Sequence, residues 1–469
     1  MSPFRLLRTL VRKLSRDERG SVAVIFAGTL IPTLLAIGLA VDTARAYAVK
    51  SKLQQALDAA ALAVGSSSGT DAEMQALAQK FFDANFNSNG LATSSSIRVS
   101  VVGDTISATG TATVDATIMQ IGGFDTIAIA EQSQVVRAIR GLELAMVLDN
   151  TGSMTSSNNI GALRDAAAEL TGILFGGQAT HPTLRIALVP YSASVNPGKV
   201  SENLISGSAT VDANNLLGWK GCVVERAGTN AVADTPASTS AWTQYKWLPA
   251  VDNTYNPTKS STVRADPSNG NGSTGPNLGC PTPITPLTND KSVIDSAISA
   301  MRAWSRGGTF SDIGMAWGLR VLSPEAPFTE GLPWGTEKWD KAVILMTDGD
   351  NQFYKLTGNA GNNTPNSSVN SDYTGYGRLD ELGRMGTTNI NTAKTTINSR
   401  MASVCQAMKD KGITVYTITF TSNLNSTTRD LYRNCASSPA KYFDSPTQDE
   451  LHASFRTIAT ELSQLRLSL

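Results

Sequence analysis

Twenty-one consecutive residues without a charge, Ser21–Val41 (SVAVIFAGTLIPTLLAIGLAV), constrain this chain more than any other feature. A helix rises 1.5 Å per residue, so a run of that length spans roughly 31 Å, the thickness of a bilayer's hydrocarbon core. Pro32 is compatible with such a helix, because neighbouring groups and local adjustment re-satisfy the freed backbone. Arg5, Arg8, Arg12, Lys13, Arg16 and Arg19 precede the run, whereas only Arg45, Lys50 and Lys52 follow closely. The positive-inside bias therefore predicts a cytoplasmic N-terminus and the rest of the chain outside. The run exceeds the h-region of about 7–15 residues found in cleaved signals, and no convincing small-x-small cleavage site follows it before Asp42. A retained anchor over 21–41, behind a basic cytoplasmic segment 1–20, is the expectation.

The helix is expected to continue over 42–64, where Leu53, Leu57, Ala60 and Val64 share one face. It is either one long helix or two with a break at the membrane surface. Its narrow, Ala-rich stripe suits packing against another helix, in this chain or another. Gly65 and the serines after it stop the pattern. A small α+β module follows over 65–140, with a helix over Asp71–Phe86 and alternating, strand-like sequence over Ile97–Ile139 that turns at Gly103-Asp104.

From Gly141 the pattern changes. Strands are expected at Leu142–Leu148, Leu184–Pro190, Lys341–Thr347 and Ile413–Phe420. Helices are expected at Ile160–Leu174, Lys291–Trp304, Asp312–Leu322, within Asn391–Lys411 and at Thr447–Leu465. Apolar strands alternating with helices predict an α/β fold over 141–469: a mostly parallel sheet with helices on both faces. Two segments rich in Ser, Thr, Asn, Gly and Pro interrupt it, about 196–286 and 351–390. The first holds Trp219, Trp242, Tyr245, Trp247 and Tyr255, too many aromatics for a floppy linker, and an edge strand is expected near AWTQYKW.

Composition removes several chemistries. Lys plus Arg and Asp plus Glu both number 39, so no global basic field exists to hold nucleic acid. Only two histidines occur, His181 and His452, and neither neighbours a nucleophile motif. A multi-His zinc site is nearly excluded, and no phosphate-binding G-x-x-x-x-G-K-[ST] is present.

What remains is a constellation of oxygens. The first apolar strand ends in Asp149-Asn150-Thr151-Gly152-Ser153, a helix opens after Arg306-Gly307-Gly308-Thr309, and the third strand ends in Asp348-Gly349-Asp350. In open α/β sheets ligands gather at the carboxyl edge of the strands. Two carboxylates and three hydroxyls converging there suit a hard cation such as Mg²⁺. Asp350 and Asp312 read as solvated surface carboxylates. The segment 351–390 leaves the strand that leads into Asp348, so it is expected to cap this edge.

The order D-x-[ST]-x-S … G-G-T … T-D-G resembles the metal-ion-dependent adhesion site (MIDAS) of von Willebrand factor A domains. LELAMVLDNTGSM, RIALVPYS, KAVILMTDGDN and GITVYTITF resemble that family's core strands. The resemblance implies a von Willebrand A-like, Rossmann-like domain. Its metal ligands would be Asp149, Thr151, Ser153, Thr309 and Asp348, with Thr151 standing where the family usually has Ser. Mg²⁺ is the implied cofactor, or Mn²⁺ or Ca²⁺.

The N-terminal RDERGSVAVIFAGTLIPTLLAIGLAVDTARAYAVKSKLQQALDAAALA resembles TadG-like proteins of the Tad/Flp pilus-assembly system, which often join such a segment to an A-like domain. Ile25 stands where pilin-type processing after Gly20 would favour Glu, so no prepilin cleavage is expected. The resemblance implies a single-pass protein of the bacterial inner membrane with its bulk in the periplasm. It would be a non-enzymatic pilus-assembly component binding a protein partner, from the pilus machinery or the envelope, through its metal site. A surface adhesin gripping with the metal face and the aromatic insertion is the alternative, which a retained inner-membrane anchor opposes. A metal-assisted hydrolase would have only Asp350 as a nearby base.

Four cysteines admit three pairings. Proximity and element placement favour Cys222–Cys280 across the first insertion and Cys405–Cys435 across the fourth strand. An oxidising compartment outside the membrane permits both.

Overall fold

The structure, a computed structural model, describes residues 19–67, 70–102, 105–136, 140–264, 273–355 and 371–466. The chain divides into two compact units, Met1–Ala138 and Ile139–Arg466.

In the first unit, α1 (Arg19–Gly65) is one helix of 47 residues with Pro32 inside it. The membrane-length run and its continuation are thus a single element. Among the described residues it is the one helix long and apolar enough to cross a membrane, by length and composition. Ile25, Phe26, Leu34, Ile37 and Leu39 are exposed, as a lipid-facing surface would be. Further along, Val49, Leu53, Leu57, Ala60 and Val64 are fully buried. They pack on α2 (Asp71–Asn85) and on three strands, β1 (Ala92–Val102), β2 (Thr105–Asp115) and β3 (Thr126–Val136). The Ala-rich stripe therefore finds its partners inside this chain. The strands form an antiparallel sheet in the order β1-β2-β3. A capping box starts α2: Thr70 accepts from the Glu73 amide while the Glu73 carboxylate accepts from the Thr70 amide. The expected turn at Gly103-Asp104 lies outside the described residues.

The second unit runs β4 (Gly141–Asp149), α3 (Asn159–Phe175), β5 (Leu184–Tyr191), β6 (Val223–Val224), β7 (Thr243–Gln244), β8 (Thr285–Thr288), α4 (Lys291–Ala300), β9 (Gly308–Thr309), α5 (Ser311–Leu322), β10 (Trp339–Thr347), β11 (Gln352–Phe353), α6 (Ile390–Asp410), β12 (Thr414–Thr419), α7 (Ser426–Cys435), β13 (Tyr442–Asp444) and α8 (Gln448–Arg466). It is a mixed α/β fold. The six-stranded sheet has the order β13-β12-β10-β4-β5-β8; β8 runs antiparallel to β5, and the other ladders are parallel.

Every residue of β4 is buried. Its side chains alternate between two cores, as a strand covered on both faces requires. Ala145 and Val147 face a core that includes Trp317 of α5 and Met401 of α6. Leu144, Met146 and Leu148 face one that includes Leu163 of α3, Ile294 of α4 and Phe455 of α8. Glu143, the one charge in β4 before Asp149, is satisfied near the strands' amino ends. Lys341 of β10 donates to it at 2.5 Å and Arg185 of β5 at 3.2 Å.

The first insertion is ordered where described: Trp242 and Trp247 are fully buried, and Tyr245 nearly so. Its AWTQYKW stretch does not form an edge of the main sheet. Thr243–Gln244 pairs with β6 in a separate two-stranded ribbon, and the edge belongs to β8. The helix expected over Lys291–Trp304 ends at Ala300, four residues early. Both favoured disulfides are present, Cys222–Cys280 and Cys405–Cys435.

Candidate metal centre

Strands β4 and β10 are parallel neighbours, with Met346 beside Leu148, so both deliver an aspartate to the same edge. Asp149 is fully buried at the end of β4, and Asp348 follows β10 with 9% of its surface exposed. The chain after Asp149 turns back on it. The Thr151 amide donates to Asp149 Oδ1 at 2.7 Å, and the Thr151 and Ser153 hydroxyls lie 3.0 Å apart. Ser153 then donates to Asp348 Oδ1 at 2.6 Å. One chain of hydrogen bonds thus links Asp149, Thr151, Ser153 and Asp348.

Two residues that carried no prior assignment complete the shell around Asp149. The Thr347 hydroxyl donates to its Oδ2 at 2.8 Å, and the Tyr191 hydroxyl approaches the same oxygen at 3.4 Å. Thr347 was within reach of the sequence, since it is the Thr of T-D-G. Tyr191 sits at the end of β5, where no local pattern distinguishes it from a core aromatic.

Thr309 is buried on β9, which pairs antiparallel with β11. Among the described residues its hydroxyl makes no hydrogen bond to the other four positions. The loop carrying it is tied to the centre through Ser311, whose hydroxyl lies 3.1 Å from that of Tyr191. Gly308 explains the local sequence. Its φ is +119°, and a Cβ there would lie 2.1 Å from the Gln352 carbonyl oxygen, so only glycine fits against β11.

The described parts of 351–390 do lie along this edge. Tyr354 donates its amide to the Gly307 carbonyl at 2.9 Å, and Gly375 donates to the Ala193 carbonyl at 2.7 Å. Arg306, just before the two glycines, is clamped in a buried ion cluster. It donates to both oxygens of Asp372 at 2.7 and 2.9 Å and to Asp252 at 3.3 Å. Arg378 donates to the two oxygens of Asp252 at 2.9 and 3.1 Å. Asp252 belongs to the first insertion, and Asp372 and Arg378 to the second. The site loop is therefore held by both insertions at once, a long-range arrangement with no local signature.

Neither additional carboxylate is a free surface group. Asp312 is 1% exposed and accepts from the Tyr376 hydroxyl at 2.6 Å. Burial pushes its carboxyl up to about 6. The helical pattern concealed this because every residue of α5 is buried, including those off its expected apolar face. Asp350 accepts from Lys394 at 2.7 Å and also from Asn425, so its charge is already compensated. His452 pairs with Glu169 at 3.1 Å, joining α8 to α3.

Electrostatically the centre is short of positive charge. Burial pushes the Asp149 carboxyl upward, against hydrogen bonds from Thr151 and Thr347. Asp348 is pushed up to about 8, first by burial and then by the charge of Asp149. Two desolvated carboxylates with no cationic side chain paired to them among the described residues retain a proton or accept a cation. Among the described residues no group of three or more His, Cys, Asp and Glu could hold a metal ion. A cation here would rely on two carboxylates supplemented by hydroxyls, an all-oxygen set that fits a hard ion and not a soft one.

Residues 20–67 match the family described as "Putative Flp pilus-assembly TadE/G-like". No curated protein matches the chain. Solved structures similar to it include the vWF domain of the type V pili tip protein Mfa5 from Porphyromonas gingivalis, at 13% identity over 69% of this chain and 95% of that one, with a TM-score of 0.38. The pilus adhesin SpaC from Lactobacillus rhamnosus GG is similar at 13% identity over 79% of this chain and 33% of that one, with a TM-score of 0.36. Proximal thread matrix protein 1 from the mussel byssus is similar at 12% identity over 70% of this chain and 47% of that one, with a TM-score of 0.33. At such scores these likenesses add nothing to the fold described above. The uncharged run and its unbroken helical continuation coincide with the residues that match this family, so 20–67 is similar to a TadE/G-like Flp pilus-assembly segment.

Proposed function

We propose that this chain is a pilus-associated membrane protein, anchored by residues 21–41. Its bulk faces the periplasm of a bacterial inner membrane, and its A-like unit binds a protein partner through a divalent cation. The observation that carries the proposal is the Asp149–Asp348 pair. Two buried carboxylates, linked through Thr151 and Ser153, have no cationic side chain paired to them among the described residues. Asp149, Thr151, Ser153, Thr309 and Asp348 would hold Mg²⁺, or Mn²⁺ or Ca²⁺. The bound ion would supply a Lewis-acidic position to which a partner carboxylate can coordinate.

The chain's own residues do the rest. Thr347 and Tyr191 orient Asp149, Gly308 brings the Thr309 loop against β11, and the Arg306 cluster fixes that loop between the two insertions. No turnover is assigned: Asp350, the nearby candidate base, is engaged by Lys394 and Asn425.

The full chain in nanodiscs, used to capture envelope proteins, tests this reading. A partner retained in Mg²⁺, released by chelator and lost with Asp149→Ala supports it. Retention indifferent to both chelator and substitution contradicts it.

A further inference from the structure

The loop joining β2 to β3 reads Ala116-Thr-Ile-Met-Gln-Ile-Gly-Gly-Phe124, nine residues without a charge between Asp115 and Asp125. It folds back on α1 within the anchor. A Cβ placed on Gly38 would lie 2.1 Å from Cγ2 of Ile118, so the Ile118 side chain occupies the space glycine leaves open. Gly38 stands three residues before the end of the uncharged run at Val41. At 1.5 Å per residue that is about 4.5 Å inside the apolar segment.

Several of the loop's backbone donors are satisfied within the protein. The Asp42 carboxylate accepts from the amides of Thr117, Ile118 and Met119 at 2.9–3.2 Å. Ala116 donates to Asp125, and Gly123 and Phe124 donate within the turn. Backbone donors satisfied inside the protein are what a segment at membrane depth requires. Asp42 is 1% exposed despite its position at the end of the run, and these amides compensate its charge. Arg45, one turn further, pairs with Thr117 and with Asp42 at 3.8 Å. That places a cation at the level of lipid headgroups. Phe124 remains 61% exposed at the loop's tip side.

We propose that the 116–124 loop is a second membrane contact, with Ile118 on the anchor helix and Phe124 inserted among lipids at the bilayer interface. The occupant of this apolar surface is a lipid bilayer, because the loop is continuous with the apolar face of α1. Two contacts would fix the tilt of α1 and hold the three-stranded sheet close to the membrane. The inference rests on the reading of 21–41 as membrane-spanning.

The test uses the full chain in phosphatidylcholine–phosphatidylglycerol vesicles. Among the described residues no cysteine is free, so each variant gains one thiol for a nitroxide label. Phe124→Cys probes the loop and Leu34→Cys the middle of the anchor. Val102→Cys probes the opposite end of the β1–β2 pair, where Val102 is 76% exposed. Accessibility to oxygen relative to an aqueous nickel chelate is expected to be several-fold higher at positions 34 and 124 than at 102. Lipid-like values at 34 with water-like values at 124 overturn the loop contact and leave the anchor standing. Water-like values at 34 overturn the anchor, and the loop contact with it.

Discussion

Ser153 donates its hydroxyl to Asp348 at 2.6 Å across 195 positions of sequence. This bond joins the turn after β4 to the end of β10 and makes one centre of two separately ordinary motifs. It also implies a dependence on protons. Asp348 is raised from its usual 3.8 to about 8, so the folded, cation-free protein holds a proton that the unfolded chain releases near pH 4. This group's contribution to stability is greatest at low pH and falls as pH rises from about 4 to about 8. We predict that the unfolding temperature without divalent ions drops across that window, that Mg²⁺ restores it at pH 8, and that Asp348→Asn flattens the profile. Thermal unfolding followed by tryptophan fluorescence at several pH values reads all three.

Gly308→Ala places a methyl group against the Gln352 carbonyl at a positive φ. The pairing of β9 with β11 must loosen, at a cost of about 1–3 kcal/mol for the strained backbone alone. Thr309 moves with it. The expected outcome is a lowered unfolding free energy in urea together with weakened Mg²⁺ binding. Gly177→Ala, also at a positive φ but with nothing within 4 Å of its Cβ, is expected to spare Mg²⁺ binding.

Arg306→Met removes the two charge-assisted hydrogen bonds that buried Asp372 receives from the guanidinium and the one that the guanidinium gives to the Asp252 carboxylate. Breaking a buried pair from one side costs about 3–5 kcal/mol. Urea unfolding measures the loss. Limited proteolysis should show new cleavage in both insertions, because the cluster ties residues of each to the site loop.

Reduction of the disulfides should destabilise the second unit. Loops of 58 and 30 residues are closed by Cys222–Cys280 and Cys405–Cys435. The chain-entropy estimate is about 4 kcal/mol for each. Comparison of urea unfolding with and without reductant, and of Cys405→Ser/Cys435→Ser, separates the two bridges.

Much of this architecture was legible because it rests on local pattern. Strands β4, β10 and β12 are apolar runs buried on both faces, and Ser21–Val41 declares its length and lack of charge. The order of Asp149, Thr151, Ser153, Thr309 and Asp348 was readable for the same reason: each follows or opens a regular element. What escaped depends on distant partners. Strand β8, Thr-Pro-Leu-Thr, is four residues long and acquires its identity only by pairing with β5. Helix α7 buries only Thr428, Tyr432 and Cys435, too thin an apolar stripe to stand out in a polar stretch. Asp312 looked solvated because nothing adjacent in sequence announces Tyr376, which lies 64 positions away. The Asp252–Arg306–Asp372–Arg378 cluster joins three segments whose residues are unremarkable alone.

Titration calorimetry of Mg²⁺ into the full chain in nanodiscs tests the central claim most directly. Wild type, Asp149→Ala and Ser153→Ala would be compared at pH 8. The account predicts one saturable site in the wild type, abolished by Asp149→Ala and weakened by Ser153→Ala while the tryptophan fluorescence of the fold is retained. No saturable heat in the wild type, or equal binding in all three proteins, would contradict it.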